Sequence, residues 1–143
     1  MKKLPKKALE EFVKACKRKF GKDLVSVVLF GSRVKGYARE DSDYDILLLV
    51  KNLPGLMERF KLLEGLEEKI WKKYKIKIST LLVEPEELFE PINPLLFGVL
   101  SGYKLLFGKR EWFSHLKRAG SWITKLDPIY IEGEREWRIK ELL

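Results

Sequence analysis

The residues best suited to chemistry lie between positions 31 and 45. An apolar run over residues 24–30 ends at Gly31 and Ser32, and a second apolar run follows Asp43 and Asp45. Glycine lets the backbone turn sharply out of a strand, and a serine that opens a short helix offers free N–H groups and a hydroxyl to phosphate oxygens. Residues two apart on a strand point to one face, so both carboxylates project together as oxygen ligands for Mg²⁺. The segment predicts a phosphate-binding turn and a magnesium-binding carboxylate pair.

A plainer interpretation of the same residues is a strand, a polar loop and a second strand whose acidic residues only cap it. The loop also carries Arg33, Lys35 and Arg39. Each of these cations could contact phosphates, because charged donors bind them well, or could be a solvated loop charge. The residues alone leave both interpretations open.

The pattern resembles the signature of the nucleotidyltransferase superfamily that includes DNA polymerase beta, and most closely that of its minimal nucleotidyltransferases. The signature is Gly-Ser, ten residues, then Asp-x-Asp, with a further glycine at Gly36 and a Ser-Asp pair at Ser42. The resemblance covers roughly residues 20–108. It implies a mixed α/β (α+β) fold, in which adjacent strands of a small mixed sheet carry the motif and helices pack mainly on one face.

The resemblance also implies a reaction and a cofactor. A nucleoside monophosphate, with AMP from ATP as the leading candidate among NTPs, would move to an acceptor hydroxyl with release of pyrophosphate, and Mg²⁺ would be the cofactor. The residues carried over are two catalytic and metal-binding carboxylates, Asp43 and Asp45, and four nucleotide-binding residues, Gly31, Ser32, Arg33 and Ser42.

The third carboxylate that the family usually carries on the following strand is not evident. Its place falls on Lys77 when the hydrophobic patterns are aligned, and a lysine there would repel the catalytic metal. Lys77 could instead bind a phosphate or point to solvent from a strand that ends the sheet. The nearest acids, Glu84, Glu86 and Glu87, are expected to be solvated charges at a helix start.

The acceptor and the partner are open. The family includes polymerases, antibiotic-modifying transferases and minimal proteins that pair as antitoxins with HEPN-domain toxins. Because the chain has no further domain for a template or a drug, the resemblance favours AMP transfer to a hydroxyl, with tyrosine the leading candidate, on a HEPN-type partner. The alternative is a catalytically degenerate binding module that neutralises its partner by forming a complex. Nucleic-acid binding through the basic first helix ranks last, because no aromatic residues are interleaved with its lysines.

Composition places the chain among globular proteins. It has 143 residues, of which 45% are hydrophobic and 35% charged, with a net charge of +8. Residues 1–22 hold nine Lys or Arg and two Glu, so most of the net positive charge lies in this segment. The remaining residues are nearly neutral in sum. We expect a cytoplasmic protein without a membrane segment, because no apolar run approaches about 20 residues. The single cysteine, Cys16, is expected to be buried and inert, and the charged, glutamine-free composition is typical of a thermophile.

The chain is predicted to contain a nucleotidyltransferase domain over 1–108 and a helical C-terminal extension over 109–143. Helices are expected over 5–20, from 56 to 74 and over 95–100, and a strand over 103–107. In the extension, one helix should end at Asp127 and a second should cover about 134–140. His115 is expected at the surface. Whether the chain forms a homo-oligomer or a hetero-oligomer is left open.

Overall fold

A computed structural model describes residues 4–119, 128–131 and 136–139. These residues form six α-helices and six strands. In chain order they are α1 (Lys6–Phe20), a 3₁₀ turn (Gly21–Asp23), β1 (Leu24–Phe30), α2 (Ser32–Lys35), β2 (Tyr44–Val50), α3 (Leu56–Tyr74), β3 (Ile78–Val83), α4 (Pro85–Phe89), α5 (Leu95–Leu100), β4 (Tyr103–Phe107), α6 (Lys109–Ala119), β5 (Pro128–Ile131) and β6 (Glu136–Ile139).

The strands form one mixed sheet in the order β3-β2-β1-β4-β6-β5. Only β2 and β3 run parallel, which requires the long helix α3 to carry the chain back between them. The other neighbouring pairs are antiparallel. The strand after the motif, β3, ends the sheet, which is one of the alternatives considered for Lys77. The mixed α/β fold is therefore confirmed.

Helices cover both faces of the sheet. The two long helices α1 and α3 pack on one face against Tyr44, Ile46 and Leu48 of β2. The shorter helices α4, α5 and α6 pack on the other face against Leu47 and Leu49. The predicted one-sided packing holds for the long helices, and the short ones complete a second core.

The first helix follows directly from its sequence pattern. Leu9, Phe12, Val13 and Cys16 recur at helical spacing and are buried, while lysines occupy the exposed side. Burial raises the pKa of the Cys16 thiol to about 12, so this cysteine is a core residue rather than a nucleophile. Both expectations for this helix are confirmed.

Arg59 of α3 joins that helix to the end of β3. Its guanidinium is buried and contacts Glu87 at 2.7 Å, Glu84 at 3.5 Å and the Pro54 carbonyl at 2.8 Å. The same two glutamates form a capping box at the start of α4. They are helix-start charges, as predicted, but they also compensate a buried cation that the sequence pattern did not reveal.

The extension beyond residue 108 is only partly helical. The helix Lys109–Ala119 is confirmed, and residues 120–127, where it was expected to continue, lie outside the described residues. The second helix expected at about 134–140 is wrong, because Glu136–Ile139 is a strand that pairs with β4 through Lys104. Alternating Trp137 and Ile139 suit a strand as well as a short helix, and sheet pairing decides between them. The boundary at residue 108 stays a prediction.

No helix in the described parts of the chain has the length and apolar character needed to cross a bilayer. The predicted cytoplasmic location stays a prediction.

Candidate active site

The turn after β1 has the geometry predicted for a phosphate-binding turn. Gly31 adopts φ 83° and ψ −161°, a conformation that L side chains rarely adopt, and Ser32 begins α2. The N–H groups of Val34 and Lys35 both donate to the Gly31 carbonyl at 3.1 Å. Because α2 begins here, the N–H groups of Ser32 and Arg33 lie outside the helix's own hydrogen bonds. The start of this short helix therefore offers donors next to the end of β2.

Asp45 lies against this turn. The antiparallel register pairs it with Phe30, the residue just before Gly31. A Cβ added at Gly31 would be 2.3 Å from Asp45 Oδ2. Only a residue without a side chain fits there, so Gly31 serves both the turn and the close approach of the carboxylate.

Asp43 and Asp45 belong to one charged cluster. Tyr44, which separates them, is buried in the core formed with α1 and α3, so the neighbouring carboxylates project towards the other face of the sheet. Burial raises the pKa of Asp45, and the negative charge of Asp43 raises it further. The pair is a concentration of negative charge at the turn after β1.

Arg33 holds the loop between the turn and the carboxylates. Its Nε and Nη2 donate to the Ser42 carbonyl at 3.1 and 2.7 Å, and Nη2 also donates to the Glu40 carbonyl at 3.1 Å. Its guanidinium stacks over the Tyr44 ring at 4.4 Å. These contacts give Arg33 a positioning role, whereas its predicted contact with the nucleotide stays a prediction.

Ser42 closes a turn within the same loop. Its hydroxyl accepts a hydrogen bond from the Arg39 N–H at 2.8 Å, and its own N–H donates to the Arg39 carbonyl at 3.1 Å. The residue before Asp43 is thereby fixed from both sides. Ser42 shapes the loop that delivers the first carboxylate, and its predicted nucleotide contact also stays a prediction.

The register of β3 identifies the residue beside the carboxylate pair. Asp45 pairs with Ser79, and Ile78 packs in the core with Tyr44, so Ser79 shares the face of Asp45. Lys77 precedes β3, is exposed, and uses its carbonyl to accept a hydrogen bond from Tyr44 N–H at 2.8 Å. Ser79 is thus the β3 residue next to Asp45. The alignment of hydrophobic patterns instead places the family's third carboxylate two residues earlier, at Lys77.

The donor set suits a magnesium ion that also binds phosphate. Among the described residues no cluster of three or more His, Cys, Asp or Glu side chains could hold a metal by itself. Two adjacent carboxylates with no third acid are the protein ligands expected where substrate phosphates and water complete the octahedron. Burial and the charge of Asp43 raise the pKa of Asp45, and a cation bound beside the pair would offset both effects.

Comparison with known proteins identifies the family. Residues 10–108 match the family described as polymerase beta, nucleotidyltransferase. The chain belongs to this nucleotidyltransferase family. A putative protein adenylyltransferase of Methanocaldococcus jannaschii is 43% identical over 138 residues, which is 94% of each chain. Another protein with the same description and organism is 39% identical over 83 residues, 58% of this chain and 76% of its own length. The prediction of a nucleotidyltransferase is confirmed.

Solved structures share the fold of this nucleotidyltransferase. A chain from a crystallised toxin-antitoxin with AMP-PNP has a TM-score of 0.55 and 21% identity, covering 82% of this chain and 89% of that one. A chain from a complex of tri-AMPylated Shewanella oneidensis HEPN toxin with MNT antitoxin has a TM-score of 0.50 and 19% identity, covering 85% and 88%. At these identities the likeness concerns the fold, and it agrees with the predicted resemblance to minimal nucleotidyltransferases.

Proposed function

We propose that this nucleotidyltransferase moves AMP from Mg²⁺-bound ATP to a hydroxyl on a partner protein. The close approach of Asp45 to Gly31 carries the proposal, because it brings a carboxylate to within contact distance of the turn suited to phosphate.

Each residue of the site has a distinct task. Asp43 and Asp45 would hold Mg²⁺, which supplies charge neutralisation for the triphosphate and the departing pyrophosphate. Ser32 and the N–H groups at the start of α2 would hold the terminal phosphates. Arg33 keeps the loop in place, so that Asp43 stays aligned with Asp45. The acceptor oxygen would then attack the α-phosphorus and form the new ester bond. The bond from the α-phosphorus to the oxygen that bridges it to the β-phosphate would break, pyrophosphate would leave with that oxygen, and the acceptor proton would pass to water.

The chain offers little help with that proton. On the face of β3 next to Asp45 the residue is Ser79, so a third carboxylate is not available there as a base. A tyrosine hydroxyl, with a pKa of about 10, loses its proton far more easily than an aliphatic hydroxyl. This favours tyrosine as the acceptor.

Support for a protein acceptor comes from relatives. The relative in Methanocaldococcus jannaschii that spans nearly the whole chain is described as a putative protein adenylyltransferase. A structural neighbour is an MNT antitoxin in complex with a tri-AMPylated HEPN toxin. We infer a HEPN-type protein as the partner of this chain and ATP as its nucleotide.

The second candidate is a binding module that has lost turnover. The absence of an acidic residue on β3 favours it, since a missing metal-binding carboxylate slows chemistry more than it weakens folding or partner binding. Such a protein would still form a complex with its partner and would neutralise it by occlusion.

Transfer of label separates the two candidates. The full chain, α-labelled ATP, Mg²⁺ and the HEPN-type protein encoded nearest to its gene are incubated, and the partner is tested for covalent label. The proposal expects label on a tyrosine of the partner, none without Mg²⁺, and none with the Asp43→Asn, Asp45→Asn double variant. A stable complex without label would overturn the proposal in favour of the binding module.

A further inference from the structure

A second cleft lies at the end of the sheet remote from Gly31 and Asp45. Its volume is about 350 Å³. It opens where β1 begins, and β1 then runs seven residues to Phe30 at the active-site end. At about 3.3 Å per residue the two sites are roughly 20 Å apart. The described residues that line it are Lys22, Leu24, Val25, Lys51, Phe107, Arg110, Glu111, Ser114, His115 and Arg118.

The charges around this basic cleft are strongly unequal. Lys22, Lys51, Arg110 and Arg118 line it, against the one carboxylate of Glu111. None of these four cations forms an ion pair with another residue in the described parts of the chain. They come from the 3₁₀ turn, the end of β2 and helix α6, so folding gathers them from separate segments.

The rest of the lining has the features of a small-ligand site. Leu24, Val25 and Phe107 form an apolar floor, and Ser114 and His115 add neutral hydrogen-bonding groups. The His115 ring stacks on Phe89 at 5.3 Å, which fixes one wall. Contrary to the surface position expected from the sequence, His115 is half-buried.

The cleft is built on rigid backbone. Gly108, at φ 79°, lets α6 begin directly over β1, where a Cβ would be 2.0 Å from the Val25 carbonyl. The buried Ser26 hydroxyl donates to the Gly108 carbonyl at 2.9 Å. The backbone at the start of α6, the helix that carries Arg110 and Arg118, is therefore held against β1.

His115 reports the electrostatic field inside the cleft. Burial lowers its pKa, and the neighbouring charges of Arg118 and Lys51 lower it further, while Glu86 and Glu90 act in the opposite direction. Glu86 and Glu90 line an adjoining cleft that shares His115 and Arg118 with the basic cleft. An anion in the basic cleft would offset the effect of Arg118 and Lys51.

We propose that the basic cleft binds a compact anion with two or more phosphate groups, either free pyrophosphate or the phosphate tail of a nucleotide. Lys22, Lys51, Arg110 and Arg118 are exposed residues that line the cleft together with a single carboxylate, and this excess of positive charge suits a small anion. The volume lies in the range of small-molecule sites. A nucleic-acid backbone would instead call for a continuous stripe of cations, and it is the competing outcome of the test.

The chain carries one histidine, so its imidazole signal in NMR is assigned to His115 without ambiguity. Pyrophosphate is titrated into the full-length Asp43→Asn, Asp45→Asn double variant with a chelator present, which keeps the active site from contributing. We expect a saturable shift of the His115 signal and a rise of its pKa. A parallel titration with ATP decides between the two ligands. Tighter binding of ATP than of pyrophosphate would identify the ligand as a nucleotide, and equal or weaker binding of ATP would identify it as free pyrophosphate.

Variants test where the anion binds. Lys51→Gln with Arg118→Gln should weaken pyrophosphate binding by about tenfold or more, because charged hydrogen bonds are lost. Lys61→Gln, an exposed cation on α3 away from the cleft, should leave it unchanged. The proposal would be overturned if the shift of the His115 signal never saturates, or if NaCl of matched ionic strength reproduces it. Either result would be decisive in the protein that keeps Lys51 and Arg118. Tighter binding of an RNA oligomer, weakened equally by Lys61→Gln, would also overturn it.

Discussion

The carboxylate of Asp45 lies so close to the α-carbon of Gly31 that a methyl group there would be 2.3 Å from Oδ2. This contact joins the two halves of the motif, the turn proposed to bind phosphate and the carboxylates proposed to hold Mg²⁺. Glycine is therefore required at position 31 for two reasons: its positive φ, and the lack of room for a side chain beside Asp45.

Gly31→Ala should damage both stability and nucleotide binding. The positive φ of 83° and the contact with Asp45 make alanine costly, by about 1–3 kcal/mol in the free energy of unfolding. Displacement of Asp45 should weaken Mg²⁺-dependent ATP binding by about 10- to 100-fold. Denaturant unfolding and ATP titration measure the two effects.

Gly21→Ala is the matched control for that variant. Gly21 also has a positive φ, of 54°, but open space surrounds the position of its Cβ. It should lose about 1–2 kcal/mol of stability through backbone strain alone and keep its ATP affinity. Equal ATP affinities for the two variants would show that the contact with Asp45 does not matter for binding.

Asp45→Asn should make the metal-free protein more stable at neutral pH while abolishing Mg²⁺-dependent ATP binding. Burial and the charge of Asp43 raise the pKa of Asp45 above 3.8, so its ionised form destabilises the folded state. As the pH falls through the raised pKa, the wild type takes up a proton and gains stability relative to the variant. The advantage of asparagine should therefore vanish below about pH 3.8.

Thermal unfolding midpoints across this pH range check the Asp45 prediction. Asp41→Asn, which removes an exposed carboxylate of the same loop, serves as the control and should shift the midpoint little. An Asp45→Asn variant that is less stable than wild type at neutral pH without metal would contradict the unfavourable effect of burial and of the Asp43 charge on the ionised Asp45.

Arg33→Lys should loosen the loop that carries Asp43. Lysine cannot donate to the Ser42 and Glu40 carbonyls with one planar group, nor stack as well on Tyr44. Amide hydrogen exchange over residues 36–43 should accelerate, and ATP affinity should fall by about tenfold. Arg39→Lys, in the same loop, should change neither the amide exchange rates nor the ATP affinity. If Arg33→Lys leaves the amide exchange over residues 36–43 unaltered, Arg33 does not hold this loop.

Ser79→Asp tests how much the missing third carboxylate limits activity. It would put an acid on the strand position that pairs with Asp45, whereas Lys77→Asp would put one before the strand begins. If the wild type is an active transferase, label transfer should change by less than about tenfold, roughly 1.4 kcal/mol in activation free energy. A gain of several orders of magnitude from an inactive wild type would identify a degenerate site.

Much of this arrangement follows from local sequence. The apolar runs that become β1 and β2, with Gly31, Ser32 and the two aspartates between them, predict the turn and the carboxylate pair because neighbours in sequence supply all the parts. The long helices also follow, since their apolar residues recur at helical spacing.

Other features depend on tertiary packing and could not be predicted. The role of Arg33 requires the loop to fold back over it, and the pairing of Asp45 with Ser79 depends on how α3 returns the chain to the sheet. The strand Glu136–Ile139 forms because β4 offers an edge. The basic cleft combines Lys22, Lys51 and the arginines of α6, which are far apart in sequence.

Calorimetric titration of ATP with and without Mg²⁺ tests the central claim most directly, because it requires no acceptor. The wild-type chain should bind ATP when Mg²⁺ is present and lose most of that affinity without it. The Asp43→Asn, Asp45→Asn double variant should show no Mg²⁺-dependent binding while remaining folded. Equal ATP affinity with and without Mg²⁺, or Mg²⁺-dependent binding that survives in the double variant, would contradict the assignment of these two carboxylates as the metal site.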